Sequence, residues 1–275
     1  MTPWKFRKKP KHVQRTKYMK TLKILLTTAL LAAAPMVMRA TILGGPHDFS
    51  TNSWNTPADV CETCHIPHAS DISSQIPLWN HNTTPNKGNY TTYSTPTFTA
   101  NTGLGQAPQP DGPSLACLSC HDGTLAVNSF VNTPFGASTN SPQFIQGSHI
   151  VTMNGSTDLS HNHPISFTYN SALATRAGDL NDPISYTIGS VPVYPGTQGT
   201  NANIVAPVPA SWPGASLTGK NLDQAMLWNH EMECSSCHDV HGMVGSSPSS
   251  GILLKISGKD TKGRADLICR NCHLK

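Results

Sequence analysis

The residues in this chain whose chemistry stands out are its eight cysteines and thirteen histidines. Every cysteine falls into one of four frames of a single pattern: Cys61 to His65 (CETCH), Cys117 to His121 (CLSCH), Cys234 to His238 (CSSCH) and Cys269 to His273 (CRNCH). No cysteine is left over for a disulfide. Two thiols three residues apart, followed at once by an imidazole, can take haem c: the thiols add to its vinyl groups as thioethers and the histidine reaches the iron from one side. Two other chemistries use Cys-x-x-Cys. A zinc ribbon spaces its two pairs by about 15–20 residues, and the nearest two pairs here, Cys234–Cys237 and Cys269–Cys272, lie farther apart. A thioredoxin-like dithiol needs a βαβ setting, which this sequence lacks. The fifth position decides between them. With 13 histidines in 275 residues, four chance histidines directly after four such pairs have a probability on the order of 10⁻⁵ for the haem-attachment motif. Four covalently attached haem c groups are therefore expected.

The opposite face of each iron needs a second ligand. Apart from His12 and the four frame histidines, eight remain: His47, His68, His81, His149, His161, His163, His230 and His241. Beyond residue 40 the methionines are only Met153, Met226, Met232 and Met243. Histidine on both sides is expected at all four irons, which lowers their potential relative to His/Met ligation. His68 and His241 each follow a frame histidine by three residues, giving a doubled Cys-x-x-Cys-His-x-x-His pattern. Residues three apart on a helical turn share a face, so the second imidazole cannot reach the far side of the same iron and is available to a neighbouring haem. His163 precedes a proline and an alternating apolar run, and His161 is its nearest rival. His47 sits in GGPHDFS, on a stretch that reads as a loose arm able to reach a neighbouring molecule. His81 and His230 both end a Trp-Asn-His triplet and are second candidates, as are His161 and His149.

The elements that must position these residues are short. Proline (22) and glycine (21) interrupt nearly every candidate helix or strand. The reading is an irregular, loop-rich multihaem cytochrome c with short helical turns around each frame and a few short β-strands. Those strands are expected within 136–220, at ISFTY, ISYTI, VPVY and NIVAPV. A longer helix is expected near Leu222–Glu233. Macrocycles bound covalently and through iron replace part of an ordinary side-chain core.

Residues 1–40 carry ten of the 19 basic residues and no acid, followed by an apolar run from Ile24 to Ala34 and small residues up to Ala40. That is the pattern of an export signal, with Met19 an alternative start. The apolar run is about half the ~20 residues that span a bilayer, so no membrane span is expected. Residues 41–275 then form a single tetrahaem domain, with haem-binding stretches at 41–135 and 221–275 and a haem-poor connection at 136–220. Past residue 40 there are nine basic residues against 15 acidic ones, a net charge of −6, which excludes nucleic acid as a partner.

The stretches GPHDFS, CETCHIPH, PLWNH, CLSCHDGTLAVNSF, DLSHNHPISFTY, CSSCHDVHG and CRNCH together resemble the tetrahaem extracellular cytochromes of the OmcE type, from about His47 to His273. The resemblance implies haems stacked continuously along a filament. It implies proximal ligands His65, His121, His238 and His273, and distal ligands His47, His68, His163 and His241. It also implies a head-to-tail homopolymer in which a histidine, His47 on this reading, completes a haem of the adjacent subunit. His230, immediately before the third frame, departs from that pattern.

The expected function is electron transfer outside the cytoplasm, at the cell surface or beyond it, with redox proteins or extracellular acceptors as partners. A soluble periplasmic tetrahaem shuttle is the alternative. A multihaem reductase would need an open iron, whereas all four frames end in histidine and spare histidines outnumber irons two to one.

Overall fold

The computed structural model of the chain describes residues 42–72, 75–101, 105–153, 157–188, 220–241, 254–255 and 267–274. These belong to one compact unit, Ala40–Lys275. The candidate export signal lies outside the described residues, as do the VPVY and NIVAPV segments and Met243.

The fold is loop-rich, with a few short helices and one two-stranded sheet. In chain order the elements are α1 (Gly112–His121), β1 (Phe167–Thr168), α2 (Ser171–Ala177), α3 (Leu222–Met226), β2 (Glu231–Met232), α4 (Cys234–Cys237) and α5 (Leu267–Cys272). Every frame except the first therefore lies on a named helix. No helix among the described residues is long and apolar enough to cross a membrane.

Local chemistry explains where these elements start and stop. Pro113 opens α1, where a missing N–H costs nothing. The Asn170 side chain accepts a hydrogen bond from the Leu173 N–H at 2.9 Å to cap α2, and Gly178 closes it in the left-handed region (φ 73°). Asn221 caps α3 in the same way, accepting from the Gln224 N–H at 2.8 Å.

β1 and β2 pair antiparallel, with Phe167 opposite Met232 and Thr168 opposite Glu231. This joins the middle of the chain to the segment entering the third frame. Phe167, Tyr169, Leu173, Ile188, Leu222, Met226, Met232 and Cys272 form the largest buried apolar cluster. The Tyr169 hydroxyl donates to the Asn181 carbonyl at 2.6 Å inside it. The last frame is thus packed against residues that lie far earlier in the chain.

Three expectations meet the structure differently. ISFTY contains β1, as its alternation suggested. ISYTI does not form a strand: Asp182 turns the chain by accepting the Ile184 N–H on its side chain (2.9 Å) and the Tyr186 N–H on its carbonyl (2.9 Å). The helix expected over Leu222–Glu233 stops at Met226, because Leu227 is extended and Asn229 and His230 adopt positive φ (51° and 68°) to turn into β2. α1 at ten residues is longer than the turn expected around a frame, and α2 falls inside the stretch read as strands.

Candidate functional site

Each frame is wound as a helical turn. The His65 N–H donates to the Cys61 carbonyl at 2.8 Å, His238 to Cys234 at 3.0 Å and His273 to Cys269 at 2.8 Å, while Cys117 to His121 complete α1. The Asp59 carboxylate starts the first turn by accepting from the Cys61 and Glu62 N–H groups at 2.6 and 2.8 Å. None of the eight cysteines forms a disulfide.

The frames neighbour one another in chain order. Burial pushes the Cys120 thiol up and the Cys64 thiol nearby adds to it. The Cys117 thiol hydrogen-bonds to Cys234, which pushes Cys117 up. Cys237 is raised to about 11 and Cys272 to about 12, each by burial first and then by thiols of the other frame. Thiols of successive frames thus lie near enough to shift one another: Cys64 and Cys120, Cys117 and Cys234, and Cys237 and Cys272.

Three frame histidines face a second histidine ring. His65 and His241 have centroids 6.1 Å apart with planes 21° from parallel. His121 and His47 stand 6.1 Å apart at 61°, and His273 and His163 stand 6.4 Å apart at 74°. A metal holds an imidazole nitrogen at about 2 Å, so two imidazoles on opposite sides of one metal have centroids about 6.3 Å apart. These spacings fit that arrangement. The orientation of the rings fits it too. The Nδ1 atoms of His65, His121 and His163 lie 2.7, 2.7 and 2.8 Å from the carbonyls of Pro77, His149 and Pro164. A ring that donates from Nδ1 to a carbonyl presents the lone pair of Nε2 to a metal. Nδ1 of His47 is buried without a hydrogen-bond partner. Burial and the neighbouring His121 lower the His47 pKa to about 4, which keeps the ring neutral and able to ligate.

The other candidates do not face a frame histidine, although His81 Nε2 lies 3.4 Å from the Cys120 sulfur. His81 is buried with Nδ1 and Nε2 each 2.8 Å from a carbonyl, those of Asn82 and Ala126, so neither nitrogen is turned outward. His230 is paired at the surface with Asp223 at 2.8 Å. His149 and His161 are exposed, and the role of His149 is its carbonyl on His121. Among the described residues neither His68 nor His238 stacks on another histidine ring, and both are exposed. His47, expected on a loose arm, has its ring 6.1 Å from that of His121 in its own chain.

Sequence reasoning did not reach the orienting carbonyls of Pro77, His149 and Pro164, since a backbone carbonyl leaves no mark in residue types. Trp79, which begins the triplet ending in His81, meets His65 edge-on at 6.2 Å and pairs with it as an isolated bridge. No protein-family model and no curated protein matches the chain.

Proposed function

We propose that this chain conducts electrons through four covalently attached c-type haems and is the subunit of an extracellular filament. The observation that carries the reading is the set of three histidine pairs, each joining a frame histidine to a distant one at 6.1–6.4 Å. Haem bound at the frames supplies an iron that exchanges single electrons and needs no substrate pocket.

Cys61/Cys64, Cys117/Cys120, Cys234/Cys237 and Cys269/Cys272 would hold the four groups. His65 with His241, His121 with His47 and His273 with His163 would close three of the irons. The nearness of thiols in successive frames supports an electron path that follows chain order. A redox dithiol needs a lowered thiol pKa set within its own pair; burial raises Cys64 and Cys237 to about 11 and Cys272 to about 12, and Cys234 is lowered by Cys117 of another frame rather than by Cys237. Zinc needs four ligand atoms gathered at one point, and among the described residues no three cysteine or histidine atoms lie within 4.8 Å of one another.

His238 is the frame histidine without a partner ring, and His68 is an exposed histidine without one. On this reading His68 of one copy closes the iron at His238 of the next. Such a contact repeats without closing, and a contact of that kind builds a filament. Intact-protein mass spectrometry of the secreted protein should find four added haems, its spectra should be fully low-spin, and electron microscopy should show filaments. Zinc or unmodified thiols would overturn the cytochrome reading. Low-spin monomers would leave the periplasmic shuttle, and an iron that binds added ligands would favour the reductase.

A further inference from the structure

Away from the cysteines and histidines, three carboxylates converge. One oxygen each from Asp111, Glu231 and Glu233 lies within 4.8 Å of the other two. Like charges at that spacing repel, and among the described residues no lysine or arginine is paired with them.

Hydrogen bonding inside the protein does not account for the grouping. Glu233 is 1% exposed, and its Oε2 accepts from the Ser114 N–H at 3.1 Å and the Ser166 hydroxyl at 3.2 Å. Its Oε1 is buried with no partner at all. That oxygen lies over Gly112, the residue next to Asp111, 3.7 Å from where a side chain there would begin. A buried carboxylate oxygen without a donor is costly unless something else satisfies it. Asp111 adds a second anomaly. It stands at the N-cap of α1, where an aspartate ordinarily bonds to the first turn, yet its side chain makes no cap bond. Glu231 is half-buried on β2. Burial and the nearby Asp111 raise Glu231, and raise Glu233 to about 8, as expected of acids crowded together without a cation.

We propose that Asp111, Glu231 and Glu233 form a binding site for a hard divalent cation of the calcium class. Carboxylate oxygens are the ligands such ions prefer. Calcium accepts such oxygens at about 2.3–2.6 Å in flexible geometry, whereas magnesium demands a near-octahedral shell at about 2.0–2.1 Å and gives up its waters reluctantly. Water completes the shell on the open side, where Asp111 is exposed.

The site has a structural consequence. Asp111 immediately precedes α1 and Glu233 immediately precedes α4, the helices that carry the second and third frames. Just beyond it the Cys234 N–H donates to the Ser114 hydroxyl of α1 at 2.9 Å. A cation there fastens the starts of the two helices together and holds the spacing between their frames.

The test uses the secreted protein as purified, stripped with a chelator and titrated with calcium chloride by calorimetry, with iron content measured on the same sample. One calcium per chain, a raised melting temperature and weaker binding of magnesium are expected. Asp111→Asn, at an exposed position, should weaken calcium binding at least tenfold, and Glu231→Gln should do the same. Absence of calcium binding overturns the inference. So does binding unchanged in both variants, which would place the ion on haem propionates or another surface. No cysteine or histidine takes part, so the iron content separates a failure here from a failure of the cytochrome reading.

Discussion

Cys61–His68 and Cys234–His241 share one pattern, two cysteines and two histidines at identical spacing, yet they use their histidines in opposite ways. In the first, the frame histidine His65 finds a partner ring and His68 does not. In the second, His241 finds one and the frame histidine His238 does not. Each supplies the other's partner, since His65 faces His241 at 6.1 Å. What remains is one exposed histidine on each, and these two loose ends are complementary. On the proposed reading, a doubled frame provides one ligand for use inside the chain and one for use outside it.

The two frames are also supported differently. The first sits among loops. Asn80, 0% exposed, donates from its backbone to Cys64 and from Nδ2 to the Glu62 carbonyl (2.9 and 2.8 Å), and its Oδ1 accepts from Asn132 at 3.0 Å. The third frame sits on α4, entered from β2, with the Ser236 hydroxyl accepting the Glu233 N–H at 2.9 Å and the Cys234 N–H donating to the Ser114 hydroxyl at 2.9 Å. The first frame is held from loops, chiefly by the Asp59 and Asn80 side chains, and the third by residues of several helices and strands.

The comparison breaks most visibly in assembly. Replacing His68 with Ala should abolish filaments under the electron microscope and leave the iron at His65 low-spin. Replacing His241 with Ala should turn that iron high-spin and spare the filaments. Filaments surviving the first change would end the assignment of His68 and His238 to a contact between copies. Next in size is the difference in support. Asn80→Ala leaves the buried Glu62 carbonyl and Asn132 N–H without partners and should cost about 1–3 kcal/mol in denaturant unfolding. Ser236→Ala removes one of several supports and should cost about 1 kcal/mol. Equal costs would mean the two frames are held alike. The smallest effect is expected at His230, tied to Asp223 on a side chain 64% exposed: its replacement by Ala should change stability by less than about 1 kcal/mol and leave the spectra untouched.

Much of the local structure was legible in the residues. The frames are wound as turns because five residues suffice to close an N–H onto a carbonyl four positions back, and β1 follows the alternation of ISFTY. Other readings failed where a nearby group outbid the pattern. Asp182 folds ISYTI into a turn through two hydrogen bonds, and the positive φ at Asn229 and His230 ends the helix after Met226. His81 looked like a ligand until its nitrogens were found against the carbonyls of Asn82 and Ala126. His47 looked free to reach outward until it was found beside His121.

By itself, the sequence determined which residues could attach a cofactor and the local winding that presents them, because both depend on neighbours within one turn. It also determined that histidines would outnumber the sites that need them. Only the tertiary structure decided which histidine faces which. Those partners come from distant parts of the chain, and their meeting depends on the β1–β2 pairing and the apolar cluster that draws Phe167, Leu222, Met232 and Cys272 together. Packing of that kind is a property of the whole fold, which residue spacing within one segment does not encode.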